Sequence, residues 1–212
     1  HGMHRPRILS TVIRFVLCRP QHPGNIGSAA RAIKTMGFSD LRLVAPERYP
    51  APEAQWMATN AGDVLEQAQI CQELKPAIQD CVATFALSAR GREWSPQVLD
   101  VRSAAIRARE VQGDVAFVFG NEQAGLTNDE LFACQNLVHI PASKEFSSLN
   151  LAQAVQVVAY EVFMAAGSVS FPEKRRKSAR LGQIMLQKVD EAGHVQQQVL
   201  PTPWLEKRLL DL

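Results

Sequence analysis

Three short segments gather glycines, amides, hydroxyls and carboxylates at spacings that suit binding and orienting a small polar ligand. The first, Arg19-Pro20-Gln21-His22-Pro23-Gly24-Asn25-Ile26-Gly27-Ser28, leads into an amphipathic stretch that carries Arg31. The second, Gly120-Asn121-Glu122-Gln123-Ala124-Gly125-Leu126, follows the apolar run Val115 to Phe119. Two glycines bracketing a carboxylate suit a loop whose backbone must come close to a ligand. The third runs from Ile140-Pro141 through Phe146-Ser147-Ser148-Leu149-Asn150 into a long apolar segment. Simpler duties compete at each place: a hairpin turn would also use the glycines, and Ser147 or Ser148 would serve as a helix N-cap.

Other chemistries lack their residues. A dinucleotide-binding turn needs a third glycine where this chain has Ala30 or Arg31, which argues against nicotinamide or flavin. No Walker A loop and no G-x-S-x-G elbow occurs, and His22, His139 and His194 are scattered, so nucleotide hydrolysis and serine hydrolysis have no support. Cys18, Cys71, Cys81 and Cys134 never reach C-x-x-C or C-x-x-H spacing and lie in or beside apolar stretches; they are expected to be reduced structural thiols, with no metal site.

The elements that must position these loops follow from periodicity. Apolar runs of strand length, Val12 to Cys18, Leu41 to Val44, Cys81 to Leu87, Val115 to Phe119 and Leu137 to Ile140, alternate with amphipathic segments. That alternation predicts an α/β fold, a mostly parallel sheet with flanking helices, and puts all three loops at the C-terminal strand ends where such sheets bind ligands. Ile26, Ala29, Ala30, Ile33 and Met36 predict a helix from Ile26 to Met36, capped by Asn25 and stopped by Gly37. Ala54 to Leu74 reads as helical pieces broken around Asn60, Gly62 and Asp63, and Val98 to Val111 as a helix. Thr127 and Glu130 form a capping box for a short helix to about Cys134. Leu149 to Met164 reads as a helix apolar almost all round, with Asn150, Gln153 and Gln156 as a narrow polar stripe, and so must be covered on more than one side.

With 46% hydrophobic and 21% charged residues, the chain of 212 residues is in the globular range, and no apolar run approaches the roughly 20 residues that span a bilayer. His1-Gly2-Met3 reads as an expression scar, and the absence of an apolar secretion core after it predicts a cytoplasmic protein. A catalytic domain is expected over residues 1–167 and a basic, then glutamine-rich appendage over 168–212, read as a short helical extension. A net charge of +2 does not announce a nucleic-acid partner. Its distribution is more telling: Arg5, Arg7, Arg14 and Arg19 crowd the start, and Lys174, Arg175, Arg176, Lys177 and Arg180 crowd one later stretch. An RNA-phosphate patch and a solvated face both fit these clusters.

Together, Asn25-x-Gly27-x-x-x-Arg31, Gly120-x-Glu122-x-x-Gly125-Leu126, and Ile140-Pro141 followed by Ser148-Leu149-Asn150-Leu151-Ala152 resemble the three motifs of the SpoU/TrmH class of SPOUT RNA 2′-O-methyltransferases. The resemblance covers about Val12 to Ala165. Arg19-Pro20, Gly24 to Gly27, Ser88-Ala89-Arg90 and Phe146 to Val157 are most similar to the TrmJ branch, which methylates the 2′-hydroxyl of nucleotide 32 in the tRNA anticodon loop.

The resemblance implies a deep trefoil knot in the C-terminal part of the catalytic domain, a homodimer and S-adenosylmethionine as cofactor. Leu87, Ser88, Ala89, Gly120, Asn121, Glu122, Gly125, Ile140, Ser148 and Leu149 would hold the cofactor. Arg31, Asn25, Glu122, Ser148 and Asn150 would form the catalytic set, with Arg31 supplied to the partner subunit's pocket or close to it. A guanidinium does not give up its proton in proteins, so Arg31 would stabilise the alkoxide or position a phosphate. Arg90, Arg92 and the cluster from Lys174 to Arg180 would contact RNA phosphates. Asn121 stands where the TrmJ branch usually has arginine, which leaves that branch's substrate choice open. The competing functions are 2′-O-methylation of ribosomal RNA or another tRNA site, and a SPOUT-like protein that grips RNA without catalysis.

Overall fold

Apolar runs of four to seven residues cannot bury themselves as helices, and here they pair side by side. The computed structural model describes residues 11–88, 98–145 and 147–167, with the backbone of residues 185–189 and 195–199. The chain divides into two units, His1–Val169 and Ser170–Leu212. In the first, the order is β1 (Ile13–Cys18), α1 (Pro23–Thr35), β2 (Asp40–Val44), α2 (Pro52–Ala58), a 3-10 turn (Thr59–Ala61), α3 (Gly62–Glu66), β3 (Gln69–Cys71), α4 (Leu74–Ile78) and β4 (Ala83–Leu87). It continues with β5 (Val98–Asp100), α5 (Val101–Glu110), β6 (Val115–Phe119), α6 (Asn128–Phe132), β7 (Asn136–His139) and α7 (Leu151–Met164).

The seven strands form one sheet, ordered β3-β2-β1-β6-β4-β7-β5, with every pairing parallel. Phe15 pairs in register with Leu41 on one side and Phe117 on the other, and Phe85 completes the row beside Phe117. β1 and β6 are buried along their whole length, which is why they read as unbroken apolar runs instead of alternating ones. Alternate residues feed two cores. Phe15, Leu17, Phe85, Phe117 and Phe119 meet α1, α2, α3, α5 and α7, with the Phe85 and Phe117 rings stacked 4.9 Å apart. Val16, Cys18, Ala86, Ala116 and Val118 meet α4 and Leu126 on the opposite face. The cysteines are free thiols; burial pushes Cys81 up to about 11 and Cys134 up to about 12. No helix among the described residues is long and apolar enough to cross a membrane.

Local structure departs from the sequence reading in instructive ways. α1 starts at Pro23, with proline in its first turn, so Asn25 lies inside the helix and is not its cap. Gly37 does end the helix, at φ +80°, its N–H donating to the Lys34 carbonyl at 2.9 Å. The expected helix Val98 to Val111 begins with three residues that add an edge strand, and Asp100 then caps α5 by accepting from the Ser103 N–H at 3.0 Å. The Thr127 and Glu130 capping box forms as expected. α7 starts at Leu151, not Leu149, and its cap is Asn150, in a capping box with Gln153; neither Ser147 nor Ser148 caps it. α1 and α5 flank α7 and bury Leu151, Val155, Val158, Ala159 and Val162, leaving Tyr160 and Met164 exposed.

Two arginines of the expected N-terminal basic cluster are engaged internally. Arg14, 2% exposed, donates to Asp40 at 3.0 Å and to the Ala77 carbonyl at 2.9 Å, and pairs with Asp80. Because Asp40 opens β2 and Asp80 precedes β4, this one side chain ties together the sheet edge opposite the three loops. Arg19 is likewise ion-paired, whereas Arg5 and Arg7 lie outside the described residues. In the second unit, β8 (Met185–Val189) and β9 (Val195–Val199) pair antiparallel, Met185 opposite Val199. Over these two segments a hairpin stands where a helical extension was expected, since both are apolar at their ends and polar between, with no 3.6-residue apolar stripe; the rest of 168–212 lies outside the described residues.

Candidate active site

The parallel sheet delivers all three loops to one edge, where the second and third, with the end of β4, line a cleft of about 400 Å³, within the range of small-molecule sites; no residue of the first loop lines it. The end of β4 contributes Leu87 and Ser88; the Ser88 N–H donates to the Val138 carbonyl at 2.9 Å and so holds that end against β7. The loop after β6 contributes Gly120 through Leu126. From the third segment come Ile140 and Ser147 to Leu149, with Leu151 and Ala154 of α7 beneath them. Phe119, Gln123, Ala124, Leu126, Ser147, Leu151 and Ala154 therefore join the residues expected from sequence. All flank or lie within the motifs, so segment-wide reading would have included them. Ala89, Arg90, Arg92 and Lys174, Arg175, Arg176, Lys177 and Arg180 lie outside the described residues.

Glu122 is the pivot between loops. Its carboxylate accepts from the Gln21 N–H at 2.9 Å, the His22 N–H at 3.1 Å and the Asn25 side-chain amide at 3.0 Å. Burial opposes its ionisation, but these three donors prevail and hold the carboxyl below its usual range. The Asn25 side-chain oxygen in turn accepts from Asn150 Nδ2 at 3.0 Å. One chain of hydrogen bonds thus links the second loop, the first turn of α1 and the cap of α7. α1 has no side-chain cap of its own, and Glu122 supplies the acceptor that its N-terminus lacks.

The loop after β6 is folded on itself. Asn121 and Gly125 exchange backbone hydrogen bonds of 3.2 and 2.9 Å, and Asn121 Oδ1 accepts from the N–H groups of Gln123 and Ala124 at 2.9 and 3.0 Å. A side chain at Gly120 would overlap Gly125 and Leu126, so the close approach this glycine permits is between two parts of the loop. Gly125 is needed for its backbone, at φ +71°.

Of the expected catalytic set, Glu122 and Ser148 line the cleft; Asn25 and Asn150 do not line it but are joined to Glu122 by hydrogen bonds, and Arg31 stands apart from both groups. It is exposed on α1, six residues beyond Asn25, which puts it about 9 Å further along the helix axis.

The cleft's chemistry selects among ligands. Among the described lining residues, apolar side chains and backbone groups dominate, Glu122 is the one charged group, and no Lys, Arg or His is present. Such a lining fits a ligand with an aromatic ring and no excess negative charge, as in a nucleoside carrying a sulfonium and an amino acid; it offers no cation for a polyphosphate. No group of three or more His, Cys, Asp or Glu among the described residues is placed to hold a metal ion.

Comparison with known proteins agrees with this architecture. Residues 12–160 match the model of the SpoU rRNA Methylase family. The chain is 50% identical over 156 residues to tRNA (cytidine/uridine/adenosine-2′-O-)-methyltransferase TrmJ of Pseudomonas aeruginosa, covering 72% of this chain and 61% of that relative. It thus spans about three-fifths of the relative's length. Among solved structures, TrmJ from Z. mobilis superposes with a TM-score of 0.71 at 40% identity, covering 76% of this chain and 73% of the other. A probable methyltransferase from Bordetella pertussis gives 0.69 at 46% identity, covering 73% and 96%. With the family model matched across more than half its length and its three loops joined by one chain of hydrogen bonds, the chain belongs to the SpoU rRNA methylase family.

Proposed function

We propose that this chain is an S-adenosylmethionine-dependent 2′-O-methyltransferase acting on tRNA, with the cytidine or uridine at nucleotide 32 of the anticodon loop as its target. The observation that carries the reading is the meeting of the second and third loops on one cleft whose described lining holds no cation, with the first loop tied to them through Glu122, Asn25 and Asn150. The 50% identity to a relative named for tRNA 2′-O-methylation supports the substrate class. When bound, S-adenosylmethionine supplies the methyl group, carried on sulfonium. Backbone and apolar groups of Leu87 to Ala89, Gly120 to Leu126, Ile140 and Ser148-Leu149 hold it, while Ser148, Asn25 and Asn150 orient the ribose at the cleft mouth. Alignment of the attacking oxygen is the main catalytic resource of such a displacement.

Arg31 stabilises the developing alkoxide. It lies outside its own cleft, so the reading has it act on the cleft of a second copy, in a homodimer built on α1 and α7. The unit over residues 1–167 is then catalytic, and the basic segment over 168–212, with Arg90 and Arg92, meets RNA phosphates.

Calorimetry with S-adenosylmethionine and S-adenosylhomocysteine is the first test. Binding of both is expected; neither heat nor a thermal shift would leave a non-catalytic RNA-gripping protein. Mapping ribose methylation on tRNA and ribosomal RNA from cells lacking the protein then tests the target, and a missing mark elsewhere than nucleotide 32 would refute that assignment. Arg31→Ala is expected to abolish turnover with cofactor affinity retained. A hybrid of Arg31→Ala and Ser148→Ala subunits should regain activity; inactive hybrids would refute delivery of Arg31 across the dimer.

A further inference from the structure

Arg19 opens the first of the three segments but belongs to neither the expected catalytic set nor the expected cofactor-binding set. It directly follows β1 at φ +50°, a left-handed conformation that is unfavourable for a residue with a side chain. Its guanidinium donates through Nε and Nη2 to the two oxygens of Glu130, at 3.0 and 2.8 Å, in the forked geometry that arginine alone provides. Nη2 also reaches the Gly125 carbonyl at 3.0 Å, at the far end of the loop after β6. At the near end of the same loop, Asn121 Nδ2 donates to the Arg19 backbone carbonyl at 2.8 Å. The Arg19 N–H is itself held by the Val44 carbonyl at 2.7 Å, which anchors the residue to the sheet. Both ends of the loop lining the cleft are therefore fastened to one residue that does not line it.

We propose that Arg19, held by Glu130, is a positioning residue that fixes the shape of the Gly120 to Leu126 loop and thereby sets affinity for the methyl donor. This rests on the cofactor reading above. Asn121 is suited to the arrangement because one amide both donates to the Arg19 carbonyl and accepts two loop N–H groups. An arginine at that position has no acceptor to offer those N–H groups. Arg19 and Asn121 thus form one solution to holding the loop, and the identity of one constrains the other. Glu130 contributes twice, since the carboxylate that holds Arg19 also accepts from the Thr127 N–H at 2.7 Å and fixes the start of α6.

The test measures dissociation constants for S-adenosylhomocysteine by calorimetry, with steady-state kinetics on a tRNA transcript, for Arg19→Gln, Arg19→Lys and Glu130→Gln. Arg19→Gln should weaken binding by about ten- to a hundredfold, the scale of removing a charge-assisted hydrogen bond. It should raise KM for the donor with little change in kcat at saturation. Arg19→Lys keeps the charge but loses the fork, so it should fall between, and it is the variant read if Arg19→Gln does not fold. Arg14→Met is the control: it disturbs the opposite sheet edge and should lower stability without changing affinity. Unchanged affinity in the Arg19 variants, or a fall in kcat with affinity intact, overturns the positioning role. Failure of the wild-type protein to bind S-adenosylhomocysteine would instead sink the cofactor reading itself.

Discussion

Gly27→Ala tests whether the packing of α1 on α2 sets the position of the site. A β-carbon at Gly27 would overlap the Ala54 carbonyl oxygen and lie 2.9 Å from both the Ala54 carbonyl carbon and the Ala58 nitrogen. These are backbone atoms, so no rotamer change relieves the clash, and α1 must withdraw from α2 by about 1 Å, at a cost of up to about 3 kcal/mol for overpacking of this kind. The better helix propensity of alanine returns about 1 kcal/mol. The net loss of about 2 kcal/mol should lower the melting temperature by about 4 to 8 °C. Asn25, one half-turn earlier on α1, would move with the helix and stretch its 3.0 Å bonds to Glu122 and Asn150. A displacement of that size at a reaction centre can cost about a hundredfold in turnover. Thermal unfolding and initial methylation rates read the two effects. Gly24→Ala is the internal control, because its β-carbon would meet only Met57 Cγ, at an ordinary 3.6 Å. If Gly27→Ala melts at or above the wild-type temperature, helix propensity outweighs the clash and the packing argument is wrong.

Arg14→Ala leaves Asp40, Asp80 and Asp114 around an empty, buried place and should cost about 3 kcal/mol, the lower end for a broken buried pair because Asp80 is half-exposed; a destabilisation under about 1 kcal/mol in urea unfolding would refute its structural weight. Hydrogen bonding by Arg14 holds the Asp80 carboxyl down at about 2 against 3.8 ordinarily. The folded value is depressed, so this contribution is complete above about pH 4 and fades as pH falls toward 2; stability that does not decline across that window would contradict it. Neutralising three of Lys174, Arg175, Arg176, Lys177 and Arg180 should flatten the salt dependence of tRNA binding by about 0.7 to 0.9 in log–log slope for each phosphate that is no longer paired, and an unchanged slope would make the cluster a solvated face.

The central strands were legible because burial on both faces makes them uniformly apolar: Val115 to Phe119 is bounded to the residue. The edge strands β3 and β5 were missed, since three residues carry no period and Val98 merges into the pattern of the helix that follows. The motif loops could be placed at one sheet edge from the alternation of strands and helices alone. What each residue does there was less visible. Asn25 has the right chemistry for an N-cap, but Pro23 starts the helix two residues earlier and Glu122 claims the freed amide. Arg14 and Arg19 looked like surface charge because their partners lie 26 to 111 residues away in sequence, beyond the reach of local pattern.

The strand order also dictates when the sheet can close during synthesis. β1, β2 and β3 pair only among themselves until residue 115, so the first third of the chain can assemble a three-stranded half-sheet with α1, α2 and α3 against it. β4 has no such option. Both its partners, β6 and β7, come later in the chain, and its Phe85 and Ala86 must wait through almost thirty residues of further synthesis. β6 is inserted between two edges that already exist, pairing with β1 and β4 at once. Until then, two apolar strands present unpaired backbone, the condition under which parallel sheets fold slowly and chains stick to one another. A nascent chain stalled before Val115 is therefore the form of this protein most in need of a chaperone.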